Sequence, residues 1–190
     1  MSILKSYGLS LLLCLLPAGI RAQVKFIEVS TLQEMEAMQK KASDQMLMLF
    51  VDVYATWCGP CKMMDQQVYT DPAVADYMNT HFVNVRLDGE SEYGMQYVTE
   101  QQLEGYPTMY VFSDEGERIS NILGFKPAEE LVASLKTTLE GYQSVKKYRA
   151  LHAQGNLEAE AFADYIAVVR KMGNPEQADL LADEYMEEVM

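Results

Sequence analysis
An apolar run, Leu47-Met48-Leu49-Phe50-Val51-Asp52-Val53-Tyr54, leads directly into Trp57-Cys58-Gly59-Pro60-Cys61-Lys62. The run reads as a buried strand over Met46 to Tyr54, and a helix begins near Cys61-Lys62-Met63-Met64. That handover from strand to helix constrains the chain most, because it sets Cys58 where unpaired backbone N–H groups and the positive end of a helix dipole gather. Such a place lowers a thiol pKa from about 8.5 into the range of roughly 3.5–7.5. Cys58 is the candidate attacking sulfur, and Cys61, one turn further on, is placed to resolve a mixed disulfide. Pro60 suits the first helical turn, where its missing N–H is no loss, and Gly59 is expected to leave the sulfurs open to an approaching chain. A structural disulfide and half of a zinc site are the competing readings. Zinc wants a second cysteine pair or nearby histidines, and the remaining Cys14, His81 and His152 lie far off in sequence, so no metal is expected.

The segment Trp57-Cys58-Gly59-Pro60-Cys61-Lys62 resembles the active-site motif of the thioredoxin family, and the similarity covers roughly Val24 to Tyr142. It implies an α/β thioredoxin-like fold and a redox-active disulfide in place of a cofactor. Asp52, six residues before Cys58, matches the buried aspartate that in this family helps move the proton of the resolving thiol. An acid inside such an apolar run is otherwise odd, since burying an unpartnered carboxyl is costly and raises its pKa. The plainer alternative has Asp52 facing solvent at the end of the strand. Downstream, Gly105-Tyr106-Pro107-Thr108 is similar to the family's cis-proline loop. The resemblance implies that Pro107 faces the cysteines and that Tyr106 offers its backbone to a bound client in strand-like pairing. Trp57, Gly59, Pro60, Tyr106 and Thr108 are therefore the candidate client-contacting residues, with core packing the alternative for the Tyr106 ring. Arg86 stands near where the family often places a lysine paired with the buried aspartate; the default expectation for it here is a solvated surface charge.

The 190 residues, 49% of them hydrophobic, suffice for one domain with a proper core and a small appendage. Met1 to Ala22 reads as a secretory signal, with Lys5 as its positive region, Leu9 to Leu16 as its apolar core and cleavage expected after Ala22. The 15 uncharged residues between Lys5 and Arg21 fall short of the ~20 that span a bilayer. Removing the leader removes Cys14, leaves Cys58 and Cys61 as the only thiols, and points to an exported, oxidising compartment, the periplasm first and secretion second. Losing Lys5 and Arg21 takes the formal charge from −13 to −15, which disfavours nucleic acid and anionic membranes as partners.

Strands are expected at Val24 to Val29, Phe82 to Leu87, Thr108 to Ser113 and Arg118 to Leu123, the last two as a hairpin. Helices are expected at Thr31 to Lys41, capped by Ser30, then Lys62 to Val68, Pro72 to Asn79, Glu92 to Leu103, and from Pro127 to about Leu139. This order fits a central mixed sheet with helices on both faces. The domain is expected over 23–140, followed by a helical extension over 141–190 with helices at Tyr142 to Ala153, Leu157 to Lys171 and Pro175 to Glu188. The extension faintly resembles tetratricopeptide-type hairpins but holds fewer than two repeats, so a cap docked on the domain is preferred over a partner-binding surface. The 13 methionines are scattered and read as core filling. The function expected is dithiol reduction of disulfides in client proteins by a monomer recharged by an upstream, membrane-bound thiol donor. A disulfide-forming oxidase or isomerase, and a client-binding chaperone-like module with incidental redox activity, are the alternatives.

Overall fold
The computed structural model describes residues 22–155, 158–172 and 175–189. Residues 1–21 with Cys14, and Asn156, Leu157, Gly173, Asn174 and Met190 in the extension, lie outside the described residues. Five strands form one mixed sheet in the order β1-β3-β2-β4-β5: β1 Phe26–Val29, β2 Met48–Tyr54, β3 Phe82–Asp88, β4 Thr108–Phe112 and β5 Arg118–Leu123. The first three run parallel, and β4 and β5 are antiparallel to their neighbours. β2 is buried at six of its seven positions, as its continuous apolar run requires of a central strand covered on both faces.

Side chains of a strand alternate between faces, so β2 divides its residues between two cores. Leu49, Val51 and Val53 join Val83, Val85, Leu87 and Tyr97 on the side covered by α1 (Leu32–Gln45) and α4 (Glu92–Glu100). Met48 and Phe50 join Met64, Met78, Phe82, Leu131 and Leu135 on the side of α3 (Pro72–His81) and α5 (Ala128–Ala153). Buried Met48, Met64, Met78 and Met109 fill that core as expected, whereas Met46, Met63, Met95 and Met186 are exposed and fill none.

The N-cap of α1 is Thr31, not Ser30: the Thr31 hydroxyl accepts the Glu34 N–H at 3.2 Å, while the Glu34 carboxylate reaches back to the Ser30 N–H at 2.7 Å. The expected single active-site helix is two pieces, α2 (Gly59–Met63) and a π-helical turn over Met64–Val68. Helix α4 stops at Glu100, short of Leu103, and Gln102 takes a left-handed φ of 53°.

The largest difference is in α5, which does not end near Leu139 but runs unbroken for 26 residues to Ala153. Gly141 breaks nothing there. A Cβ at that position would stand 2.6 Å from Met172 Cγ, so the glycine makes room for the end of α6 (Ala159–Lys171) to lie against α5. Tyr142, Val145, Tyr165, Val169 and Met172 continue the core of the α5 face, and α7 (Pro175–Val189) follows with buried Ala178. Arg149 holds Glu117 by two hydrogen bonds of 2.8 and 2.9 Å, and Lys146 holds Asp114 at 2.9 Å, so α5 is also stapled to the β4–β5 turn. Residues of α5 beyond 140, of α6 and of α7 thus pack on the core of the sheet domain.

Candidate active site
Cys58 is the N-cap of α2, with extended φ and ψ of −69° and 114°, and its sulfur accepts the Cys61 N–H at 3.1 Å. The sulfur therefore occupies the place of a capping oxygen, facing the unpaired N–H groups that stabilise negative charge. Pro60 lies in the first turn, where no helical N–H is needed. Cys58 and Cys61 are joined as a disulfide, with Cα atoms 5.3 Å apart. The space beside Gly59 is empty, since nothing stands within 4 Å of an added Cβ. Yet this does not leave the sulfurs open: both cysteines are only 2% exposed, packed with Ala55, Tyr54 and Tyr106. A client must reach Cys58 past the aromatic side chains around it.

Two rings form that approach. Trp57 is 68% exposed and meets Tyr106 edge to face at 5.8 Å between centroids. The Tyr106–Pro107 peptide is cis, as the family resemblance implies. The loop is fixed by its flanks: the Gly124 N–H donates to the Pro107 carbonyl at 2.8 Å, and the Thr108 hydroxyl donates to the Gly105 carbonyl at 2.7 Å. Thr108 pairs with Val53 across β2 and β4, which sets the loop beside the segment leading to Cys58. The Tyr106 hydroxyl donates to Glu90 at 3.1 Å, and the ring lies against Gly89, where a Cβ would come within 2.4 Å of the hydroxyl oxygen. Tyr106 thus both packs and borders the approach.

Asp52 faces inward and not to solvent: it is 1% exposed. It shares a sheet face with Met48 and Phe50, and lies in register with Arg86 on β3. Arg86 is not a solvated charge. Its side chain is 14% exposed, its Nε stands 3.2 Å from Asp52 Oδ2, and its Nη1 stands 3.0 Å from Asp65 Oδ1. The guanidinium also covers the ring of Tyr54 at 4.2 Å. The reason is parity: Phe82, Asn84 and Arg86 alternate onto the face of β3 that α3 and the π-helical turn cover. Burial pushes the Asp52 carboxyl up to about 7, with Arg86 pulling it down and Asp65 and Glu28 pushing it further up. The Tyr69 hydroxyl is near enough to draw the carboxyl down a little, though neither it nor Asp52 Oδ1 makes a hydrogen bond of good geometry.

Sequence reasoning missed Asp65, Tyr69 and Glu90. The parity of Asp52 and Arg86 in adjacent strands was the available signal for the ion pair; nothing in the spacing marks the other three. Among the described residues, no group of three or more histidines, cysteines or acids stands where it could hold a metal ion.

A central mixed sheet, a cysteine-capped helix and a cis-proline loop beside it define a thiol–disulfide exchange site of the thioredoxin class. The thioredoxin family model matches residues 27–137, more than half of the chain, and the protein belongs to the thioredoxin family. It is 34% identical to a candidate disulphide-isomerase from Bacteroides thetaiotaomicron, whose solution structure superposes with a TM-score of 0.55 over 63% of this chain and 95% of that one. A chloroplastic thioredoxin-like protein, CITRX of Arabidopsis thaliana, is 31% identical over 104 residues, 55% of this chain and 54% of its own. A protein disulfide-isomerase of Medicago sativa is 27% identical over 88 residues, 46% of this chain and 17% of its own. The chain spans about half the length of the first of these curated relatives and less of the other.

Proposed function
We propose that the protein is an exported thiol–disulfide oxidoreductase that reduces disulfides of client proteins. In the reduced state the Cys58 thiolate attacks one sulfur of a client disulfide, forming a mixed disulfide and expelling one client thiolate. Cys61 gives up its proton and attacks Cys58, forming the Cys58–Cys61 bond and expelling the second client thiolate. Two electrons pass to the client, and Asp52 accepts the proton from Cys61. The observation that carries this reading is the Cys58 sulfur at the cap of α2, where the thiolate form is favoured.

The reductive direction rests on Gly59-Pro60 between the cysteines, the dipeptide of the reducing members that the motif resembles. Pro107 and the backbone of Tyr106 receive the client strand, with Trp57, Gly59, Pro60 and Thr108 around it. A leader over 1–22 supports export, with the periplasm as destination and secretion as the second choice. The protein acts as a monomer on client proteins and is recharged by an upstream dithiol donor, held in the membrane; nucleic acid has no part. The domain over 23–140 passes into the extension through the unbroken α5, and residues 141–190 form its cap.

The test is a Cys61→Ser variant incubated with proteins of the exported compartment. Stable mixed disulfides through Cys58, released by dithiothreitol and absent in Cys58→Ser, are expected. Non-covalent client capture that survives unchanged in Cys58→Ser would favour the chaperone-like module instead.

A further inference from the structure
Arg86 serves two carboxylates unequally. Both of its outer nitrogens go to Asp65, Nη1 to Oδ1 at 3.0 Å and Nη2 to Oδ2 at 3.4 Å. From Arg86, Asp52 receives only the inner Nε, at 3.2 Å and without hydrogen-bond alignment, and its Oδ1 makes no hydrogen bond of good geometry. A guanidinium can offer a carboxylate a two-pronged grip, and a buried carboxylate is where that grip is worth most. Here the outer edge faces Asp65, which is 41% exposed, through one hydrogen bond from Nη2 and an ion-pair contact from Nη1. Tyr54 and Phe26 lie under the cation, with ring centroids at 4.2 and 5.4 Å. Asp65 belongs to the π-helical turn that continues α2, four residues beyond Cys61.

We propose that Asp65 is a positioning residue: by holding the outer edge of the Arg86 guanidinium it keeps that cation from closing on Asp52, and so sets the pH at which Asp52 exchanges a proton with the dithiol. The proposal rests on the proton-accepting role given to Asp52 above. The other charged or titratable groups around the pair are Glu28 on β1, in register with Arg86, Tyr54 and Asp88 at the ends of β2 and β3, and Tyr69 after the π-helical turn. Tyr54 lies under the face of the guanidinium, and Asp65 is the carboxylate at its outer edge, which makes Asp65 the group that diverts it.

The experiment follows the Asp52 carboxyl carbon by NMR through a pH titration of the oxidised full chain, with the resonance assigned by its disappearance in Asp52→Asn. In Asp65→Asn the guanidinium edge is freed toward Asp52 and the Asp65 charge that pushes the Asp52 carboxyl up is gone, so the midpoint is expected to fall by about 1 pH unit, the low end of what an adjacent cation achieves. Asp65→Glu, which can keep the grip, is expected to restore most of the wild-type midpoint; Asp65→Ser repeats the test should Asn fail to fold. The pH at which client-disulfide reduction reaches half its maximal rate is expected to move the same way. An Asp52 midpoint that does not move from wild type, or that rises, in Asp65→Asn overturns the proposal. A pH–rate profile that is the same in Asp52→Asn as in wild type removes the proton-accepting role itself and with it the catalytic half of the proposal, whatever the midpoint does.

Discussion

Replacing Asp52 by asparagine is expected to stabilise the oxidised protein in neutral solution and to do so less and less toward acid. The carboxyl ionises at 3.8 in an ordinary setting and is pushed up to about 7 here, chiefly by burial. Between those values the folded protein keeps a proton that the unfolded chain has released. Stability linked to this group is therefore greatest in acid, declines as pH rises from about 4, and levels off above about 7. A rise of about three pH units, at about 1.4 kcal/mol each, amounts to about 4 kcal/mol, most of it spent between pH 4 and pH 8. Asparagine is shaped like the protonated acid but never ionises, so its advantage over wild type should grow by about 3–4 kcal/mol across that interval. Urea unfolding followed by far-UV circular dichroism at pH 4, 6 and 8, on both proteins with the disulfide intact, measures it. Stability curves that run parallel across the three pH values would refute the reasoning, because Asp52 would then ionise alike in the folded and unfolded chains.

Three further substitutions probe the site and its support. Cys58→Ser should abolish client reduction while leaving the fold intact, read by a client-disulfide assay alongside circular dichroism. Gly94→Ala should cost more than about 3 kcal/mol in a urea titration, because an added Cβ would stand 1.9 Å from the Asp88 carbonyl oxygen, a backbone atom beside the loop that Tyr106 packs on. Arg149→Ala should lose about 1 kcal/mol, since its two-pronged bond to Glu117 is partly screened by water, and should leave client reduction unchanged.

The dithiol and its helix were legible because the chemistry and the local structure are written in the same six residues, Trp57 to Lys62. The mixed sheet was legible from the order of elements, and the cis-proline loop through the family resemblance, since nothing local in Gly105-Tyr106-Pro107-Thr108 specifies a cis bond. Arg86 was misread because a charge near the end of a strand is usually solvated, and only the pairing of β2 with β3 reveals that it shares a face with Asp52. Asp65 was invisible for a different reason: the π-helical turn of Met64–Val68 alters the helical spacing, so counting 3.6 residues per turn from Cys61 does not carry Asp65 to Arg86. Gly141 shows the same limit at longer range. Read locally it is a helix stop, whereas its small size serves Met172, thirty-one residues away, and the helix passes through it at the propensity cost of about 1 kcal/mol.

The central claim is that Cys58 and Cys61 give electrons to clients, and the reduction potential of that pair in glutathione buffers tests it most directly. The account predicts a value near about −270 mV, the range of a reducing thioredoxin. A value near about −120 mV, the range of a strong disulfide-forming oxidant, would contradict it and mean that electrons flow from clients to this protein.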